Sequence, residues 1–453
     1  MKSNRAYGAF SRTIINMSEW FSGLRRQLRA RARWLTVGLG VKRWLLLLGV
    51  GAGILGMGVV YLILVLRRLG WLPSWLYNLF TLQSLPIWAR ILLPAVLGIF
   101  IILLSISRLG VRFVAPFRKP GEGIIDSLYH YSQRQRGPLI VAIGGGHGLA
   151  SLLRGLTQYT NNITAIITVA DDGGSSGRLR RELGLLPPGD FRNNMAALAR
   201  DEALMSKLLQ YRFTSQAGEN GTGELHGHAF GNLLLAALAG ITGSFDEGLL
   251  AAERVLALRG RVLPSTLEQI KLVAEVADVE TGRVQRVEGE SAIPHAAGRI
   301  KRLTIEPATA QPYPRALQAI FQADLIILGP GSLYTSILPN LLVPGLAEAI
   351  HHARAPKAYI CNLATQPGET DNYDVAQHVA ALTRYLPQGT LDVVLANSNL
   401  SIPPTQGGGQ THYVQPSDPH EGRLLLADLV DEQKPWRHDS VKLARVVLDL
   451  LAR

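Results

Sequence analysis

Cysteine is almost missing from this 453-residue chain. Cys361 stands alone, so no intrachain disulfide can form, which suits a reducing compartment. Acidic residues are almost missing from the first 120 positions, where Glu19 faces 17 lysines and arginines. The rest of the chain holds 29 of the 46 basic and 33 of the 34 acidic residues, a balance near −4, so the whole-chain charge of +12 belongs to the amino-terminal segment. Counterion release requires cations clustered where the partner docks, and the large remainder has no such excess, which argues against nucleic acid as a partner. No Gly-Lys-Ser/Thr follows a glycine loop, so a Walker phosphate loop is excluded. No internal repeat at solenoid period is present. His226 and His228 stand two apart without a cysteine or a well-spaced third ligand, so no metal site is assigned.

What is present begins with two apolar runs. Residues 44–66 carry no charge, and 23 residues at about 1.5 Å each span a hydrocarbon core of roughly 30 Å. Residues 91–107 form a second, 17-residue run between Arg90 and Arg108 that contains Pro94. A buried core helix is the alternative for a run of that length. Ten lysines and arginines precede the first run, three lie around the intervening loop, and Arg108, Arg112, Arg118 and Lys119 follow the second. The positive-inside rule then predicts both ends inside and a short external loop, with Trp71, Trp75 and Tyr77 in an interface belt. Residues 19–34 read either as a surface-lying basic helix or as a solvated tail. The expected organisation is a basic cytosolic segment (1–43), two transmembrane helices (44–107), a linker (108–137) and a cytoplasmic domain (138–453). The expected location is a bacterial cell membrane, multi-pass. Self-association into a homo-oligomer is left open.

Residues 138–143 (PLIVAI) read as a buried parallel strand, followed by Gly144, Gly145, Gly146, His147 and Gly148 and then a helix with apolar spacing over 149–159. A strand, a glycine loop and a helix start aim backbone N–H groups at a phosphate, unless the loop is only a tight turn. Leu149 breaks the G-x-G-x-x-G pattern, which weakens any dinucleotide reading. A second strand, 163–169, runs into Asp171, Asp172, Gly173, Gly174, Ser175, Ser176, Gly177 and Arg178. Here the carboxylates suit sugar hydroxyls or a water-bridged Mg²⁺, the serines and glycines suit a phosphate, and Arg178 suits its charge. Asp190 and Asn193 precede a helix expected over 195–209, and Asp190 is either its cap or a site residue. Asn232 opens a helix over 233–240 as cap or ligand contact. Further strands at 323–328, 357–362 and 391–397 deliver Gly329, Gly331, Ser332 and Thr335, then Asn362, Thr365 and Gln366, to the same sheet end if the sheet is parallel. Glu369 is a hydroxyl ligand or a helix cap, and Cys361 a small buried residue. Residues 398–422, with Gly407, Gly408 and Gly409, read as a loop or flap. A terminal helix over 441–451 is capped by Asp439 or Ser440.

Taken in order, residues 143–148, 171–180, 188–193, 231–238, 328–342 and 361–370 resemble the YvcK-type gluconeogenesis factors of the CofD-like group, over about residues 138–453. The resemblance implies an α/β, Rossmann-like, mostly parallel sheet with helices on both faces and a site at the strand ends, to which the amino-terminal transmembrane hairpin is an addition. CofD itself is a transferase that moves phospholactate from a nucleotide diphosphate carrier to a deazaflavin precursor. YvcK-type members are associated with binding UDP-sugars, notably UDP-N-acetylglucosamine, and with cell shape and growth on gluconeogenic carbon. The Asp-Asp-Gly-Gly-Ser-Ser-Gly-Arg run is similar to the YvcK branch. Three readings stand: a nucleotide-sugar-binding regulator, a CofD-type transferase in which Asp172 or Asp190 assists through Mg²⁺ or as a base, and a dinucleotide oxidoreductase. The third is disfavoured by the broken fingerprint. No cofactor is otherwise expected.

Overall fold

The computed structural model describes residues 41–114, 137–214, 223–404 and 411–451. Residues 1–40 of the basic segment with its surface-helix reading over 19–34, residues 115–136 of the expected linker over 108–137 and the glycine run 407–409 lie outside these residues, whereas 41–43 and 108–114 belong to the two long helices of the first unit. The chain divides into two compact units, Met1–Ser132 and Gln133–Arg453.

In the first unit, helices Val41–Arg68 and Ile87–Val114 flank the short helix Ser74–Phe80. Gly49–Arg68 is 20 residues long with a mean hydropathy of 2.3, which by length and composition is enough to cross a membrane. The second expected span coincides with one continuous helix through Pro94, whose apolar part over Ile87–Ile101 is shorter. Arginines at the facing ends of both helices turn onto the connecting segment. Arg67 lies 3.6 Å from the centre of the Tyr77 ring, and Arg90 donates to the carbonyls of Leu85 (2.7 Å) and Gln83 (2.6 Å). Trp71 and Trp75 are exposed beside them.

Among the described residues the second unit has ten strands: β1 Ile140–Gly144, β2 Ile163–Ile167, β3 Arg261–Pro264, β4 Lys271–Ala277, β5 Val284–Glu288, β6 Arg299–Glu306, β7 Leu325–Leu328, β8 Lys357–Ile360, β9 Val393–Asn397 and β10 Arg423–Ala427. Seven form a parallel sheet in the order β10-β9-β8-β7-β1-β2-β3. Every residue of β1 and β7 is buried, as the uninterrupted apolar runs require of a sheet covered on both faces. The chain winds outward from β1 through β2 to β3, returns to place β7 on the other side of β1, and winds outward again. Strand order therefore reverses between β1 and β7, where the two loops that follow diverge and leave a crevice.

Three differences from the sequence reading have local causes. The remaining strands form a separate antiparallel sheet, β5-β4-β6, which no apolar run announces because β5 is mostly exposed and β4 and β6 place exposed residues among buried ones. The helix expected over 195–209 is two helices, Gly189–Leu198 and Glu202–Gln210. Ala199 leaves the first to bridge to Leu258, and Asp201 caps the second by accepting from the Leu204 N–H (3.3 Å). Residues 333–338, which the sequence suggests as a helix start after the Gly329–Ser332 loop, instead open with a π-turn over 333–337 before the short helix Leu338–Leu341.

The terminal helix Ser440–Asp449 is capped by Asp439, which accepts from the Val441 and Lys442 N–H groups at 2.8 Å. It lies on helix Gly146–Leu156, where a methyl group on Gly155 would collide with the Ser440 carbonyl. Gly155→Ala is therefore expected to lower unfolding free energy by about 1–3 kcal/mol, the usual cost of overpacking. Gly240→Ala, where a side chain meets nothing within 4 Å, is expected to raise it by up to about 1 kcal/mol through helix propensity. Urea denaturation of both variants checks the pair, and equal effects would remove the helix contact as the cause.

Candidate functional site

The crevice at the switch point opens into a cavity of about 470 Å³. Its floor is the loop and helix start after β1: Gly145, Gly146, His147 and Gly148. Pro330, Gly331 and Ser332, after β7, form the facing wall. Two of these glycines are needed for contacts within the protein. A Cβ on Gly148 would stand 2.8 Å from the Pro330 carbonyl oxygen, and one on Gly145 would strike Asp190 Oδ2. Gly146 has φ +63°, and its N–H donates to Asp190.

Three carboxyl groups converge on one side: Asp171 after β2, Asp190 in the first turn of Gly189–Leu198, and Glu290 in the loop after β5. Burial is the main cause that raises all three, and each carries a further upward push from a neighbouring carboxyl group. Asp190 is brought to about 7 and Glu290 to about 8. Asp171 rises less freely, because Gly173 N–H donates to it at 2.9 Å and Ser176 bonds it as well.

The other side is basic and polar. Arg437 lines the cavity between Trp436 and His438, just before the terminal helix. Burial and then Arg437 hold His147 below its ordinary value, so its ring is neutral at pH 7. Burial brings His438 down to about 4. After β8, Asn362 accepts from Gly331 N–H (3.3 Å) and donates to Gln366 Oε1 (3.2 Å), and Gln366 Nε2 donates to Ser332 Oγ (2.8 Å). The Ser332 hydroxyl accepts there and keeps its own O–H free to turn toward the cavity it lines. Thr365 Oγ1 accepts from His412 N–H (3.2 Å) and is poised in the same way.

The family model described as 2-phospho-L-lactate transferase CofD matches residues 140–441. The chain belongs to the CofD family. Within it, the chain is similar to the YvcK-type, or UPF0052, branch. It is 45% identical to the Bacillus subtilis protein named gluconeogenesis factor, over 69% of this chain and 98% of that one. A Nostoc relative is 43% identical over 97% of this chain and 94% of its own length. A crystal structure of a UPF0052-family protein from Bacillus halodurans superposes with a TM-score of 0.62 at 42% identity, covering 69% of this chain and 99% of that one.

In this CofD-family chain, eleven of the residues expected to contact a ligand line the cavity: Gly145, Gly146, His147, Gly148, Asp171, Asp190, Gly331, Ser332, Asn362, Thr365 and Gln366. The others lie outside it. Gly144 ends β1 and Gly329 carries the turn after β7 at φ +82°. Ser175 is a buried hub that meets His228 Nδ1 at 3.1 Å and accepts from Asn232 Nδ2 at 3.1 Å, with Ser176 at 3.5 Å from the same amide. Asn193 is buried and accepts from Arg192 Nη2 (3.0 Å). Gly173 and Gly174 start helix Gly174–Leu183, which turns Arg178 to donate to the His226 carbonyl (2.8 Å). Arg178 is thus replaced by Arg437 as the cation of the cavity. Asp172 does not line it either: its Oδ1 accepts from Ser291 N–H (2.9 Å), which anchors the loop carrying Glu290. Thr335 donates to Glu369 (3.1 Å), a buried carboxyl raised to about 7 by desolvation, which also accepts from Tyr334 N–H.

Glu290, Trp436 and Arg437 escaped the sequence reading. Trp436 had one usable signal, being the only tryptophan beyond residue 88. Among the described residues no group of three His, Cys, Asp or Glu side chains is placed to hold a metal ion.

The raised carboxyls make a pH prediction. Each binds its proton more tightly in the folded chain, so the stability it contributes is present below its unfolded value near 4 and is lost as pH rises through the folded value near 7 or 8. The ligand-free chain is expected to melt at a lower temperature at about pH 8.5 than at about pH 6, and Asp190→Asn, whose amide oxygen still accepts from Gly146, is expected to flatten that slope. An unchanged slope in calorimetric scans would show Asp190 ionised in the folded chain.

Proposed function

We propose that the second unit binds a nucleotide diphosphate-linked sugar of the UDP-N-acetylglucosamine type and serves as a regulator linking carbon metabolism to the cell envelope. The observation that carries this reading is the two-sided cavity at the switch point. A diphosphate needs N–H and hydroxyl donors with a guanidinium, and beside the backbone around His147 these are supplied by Ser332, Thr365 and Arg437. Sugar and ribose hydroxyls need partners that both accept and donate, and a carboxyl group titrating near 7 does both. The Trp436 ring offers an apolar surface for a base. The volume suits a ligand of this size.

The second reading, a CofD-type transfer of a phospholactyl-like group, is favoured by one observation: Asp190 lines the cavity, and desolvation with the neighbouring Asp171 raises it to about 7, the range that suits an acid–base group. Here Asp171 and Asp190 would share a Mg²⁺ ion with the diphosphate, which would neutralise charge on the transferred group.

Calorimetric titration of the full chain in detergent tests both. UDP-N-acetylglucosamine is expected to bind saturably, and Arg437→Ala to weaken it by about 1 kcal/mol or more, the least expected of a charge-assisted bond. No binding at about millimolar ligand, a level equivalent to about −4 kcal/mol, would end the nucleotide-sugar reading. Mg²⁺-dependent release of the nucleotide from a phospholactyl donor would instead establish the second.

For location, we propose a multi-pass bacterial membrane protein with two spans, both ends and the large unit in the cytoplasm, supported by the charge placement and the exposed tryptophans around 71–75. Cys361, the only native cysteine, is buried, so engineered thiols can be read against little background. A membrane-impermeant maleimide applied to intact cells is expected to label Ser74→Cys and not His420→Cys. Equal labelling would refute the topology.

A further inference from the structure

A second cavity, of about 680 Å³, lies at the opposite end of the parallel sheet, where β1, β2 and β3 begin. It runs between helices Phe245–Val255 and Pro314–Gln322. Three guanidinium groups, Arg254, Arg261 and Arg315, lie along it with one carboxylate, Glu253. All three arginines act on Glu253, whose pKa is nevertheless raised by burial. Glu253 Oε1 is held in place by the Val262 N–H at 3.1 Å. Three positive charges thus surround one fixed negative charge. Among the described residues one ion pair reaches out of the group, Arg315 to Glu247 at 3.6 Å, and with both side chains about half exposed it contributes little. On the β2 side the buried Oδ1 of Asn161 has no hydrogen-bond partner among the described residues. A buried acceptor without a partner, on a residue that lines a polar cavity, calls for a donor from that side.

We propose that this cavity is a second ligand site, separate from the switch-point crevice, for a small anion that carries a phosphate beside hydroxyl groups. The guanidinium groups take the phosphate, and Asn161 takes a hydroxyl proton. The volume matches a small-molecule site. Two sources share this chemistry: a soluble phosphorylated polyol, or the headgroup of a phosphatidylglycerol lipid.

Glycerol 3-phosphate and inorganic phosphate are the probes, titrated into the full chain in detergent. Glycerol 3-phosphate is expected to bind saturably and more tightly than inorganic phosphate. The double variant R261Q/R315Q is expected to weaken it about tenfold or more, as the loss of charge-assisted bonds implies. Asn161→Ala is expected to remove the preference for glycerol 3-phosphate over inorganic phosphate. The binding step that R261Q/R315Q weakens is expected to be unchanged in Arg437→Ala, in the other cavity. Binding that survives R261Q/R315Q with the circular dichroism spectrum intact, or that is lost in Arg437→Ala instead, overturns the proposal, as does an absence of saturable binding at about 10 mM. Nanodiscs then identify the source. An affinity that falls in phosphatidylglycerol discs relative to phosphatidylcholine discs assigns the site to the lipid headgroup, and an equal affinity in both assigns it to the soluble anion.

Discussion

The arrangement of the second unit depends on how closely two loops approach each other. Where strand order reverses, the chain after β1 and the chain after β7 come together with Gly148 against the Pro330 carbonyl, a contact that no side chain at 148 would permit. Asn340, fully buried, secures it by donating to the carbonyls of Gly144 (3.2 Å) and Ser336 (2.8 Å). Both loops are thereby held at fixed separation around one cavity. The glycines that look made for a phosphate thus have a prior structural duty, and the N–H of Gly146 already has a partner in Asp190.

From that approach follows the electrostatic character of the site. Three carboxyl groups arrive from separate elements and desolvate one another, and desolvation together with their mutual repulsion raises all three, Asp190 to about 7 and Glu290 to about 8. The opposing edge, with Arg437, is organised by an amide and hydroxyl relay that leaves donors pointing inward. A site with fixed donors on one side and adaptable proton holders on the other suits an anion joined to a polyol better than either alone. It serves binding and proton transfer equally well, so family membership does not by itself choose between regulator and transferase.

The parts legible in the sequence were those where local pattern and tertiary position agree. Buried parallel strands must be apolar throughout, so β1, β2, β7, β8 and β9 show as runs, and the loops that follow them carry most of the cavity. What was hidden depends on angles or on long-range packing. Helix Gly174–Leu183 begins early enough that Ser175 and Ser176 turn inward and Arg178 turns away, a rotation that composition does not encode. Glu290 sits after an exposed strand in a sheet without apolar runs, and Arg437 reaches the cavity because the terminal helix docks on Gly155. The acidic pair after β2 was read as one feature, yet Asp171 faces the cavity and Asp172 anchors the Glu290 loop. Adjacent residues at a strand end point different ways, and sequence alone does not say which does which.

The cavity's lining runs from Gly145 to His438, so its two sides are separated by almost the whole length of the second unit. During synthesis the acidic side is present long before its basic counterpart, since domains form from the amino terminus as the chain emerges. From the emergence of Glu290 until Arg437 follows, 147 positions later in the sequence, the nascent domain therefore holds all three carboxyl groups with no Arg437 opposite them. The cavity's lining becomes complete only when residues 436–438 leave the ribosome, so no shorter intermediate presents both of its sides.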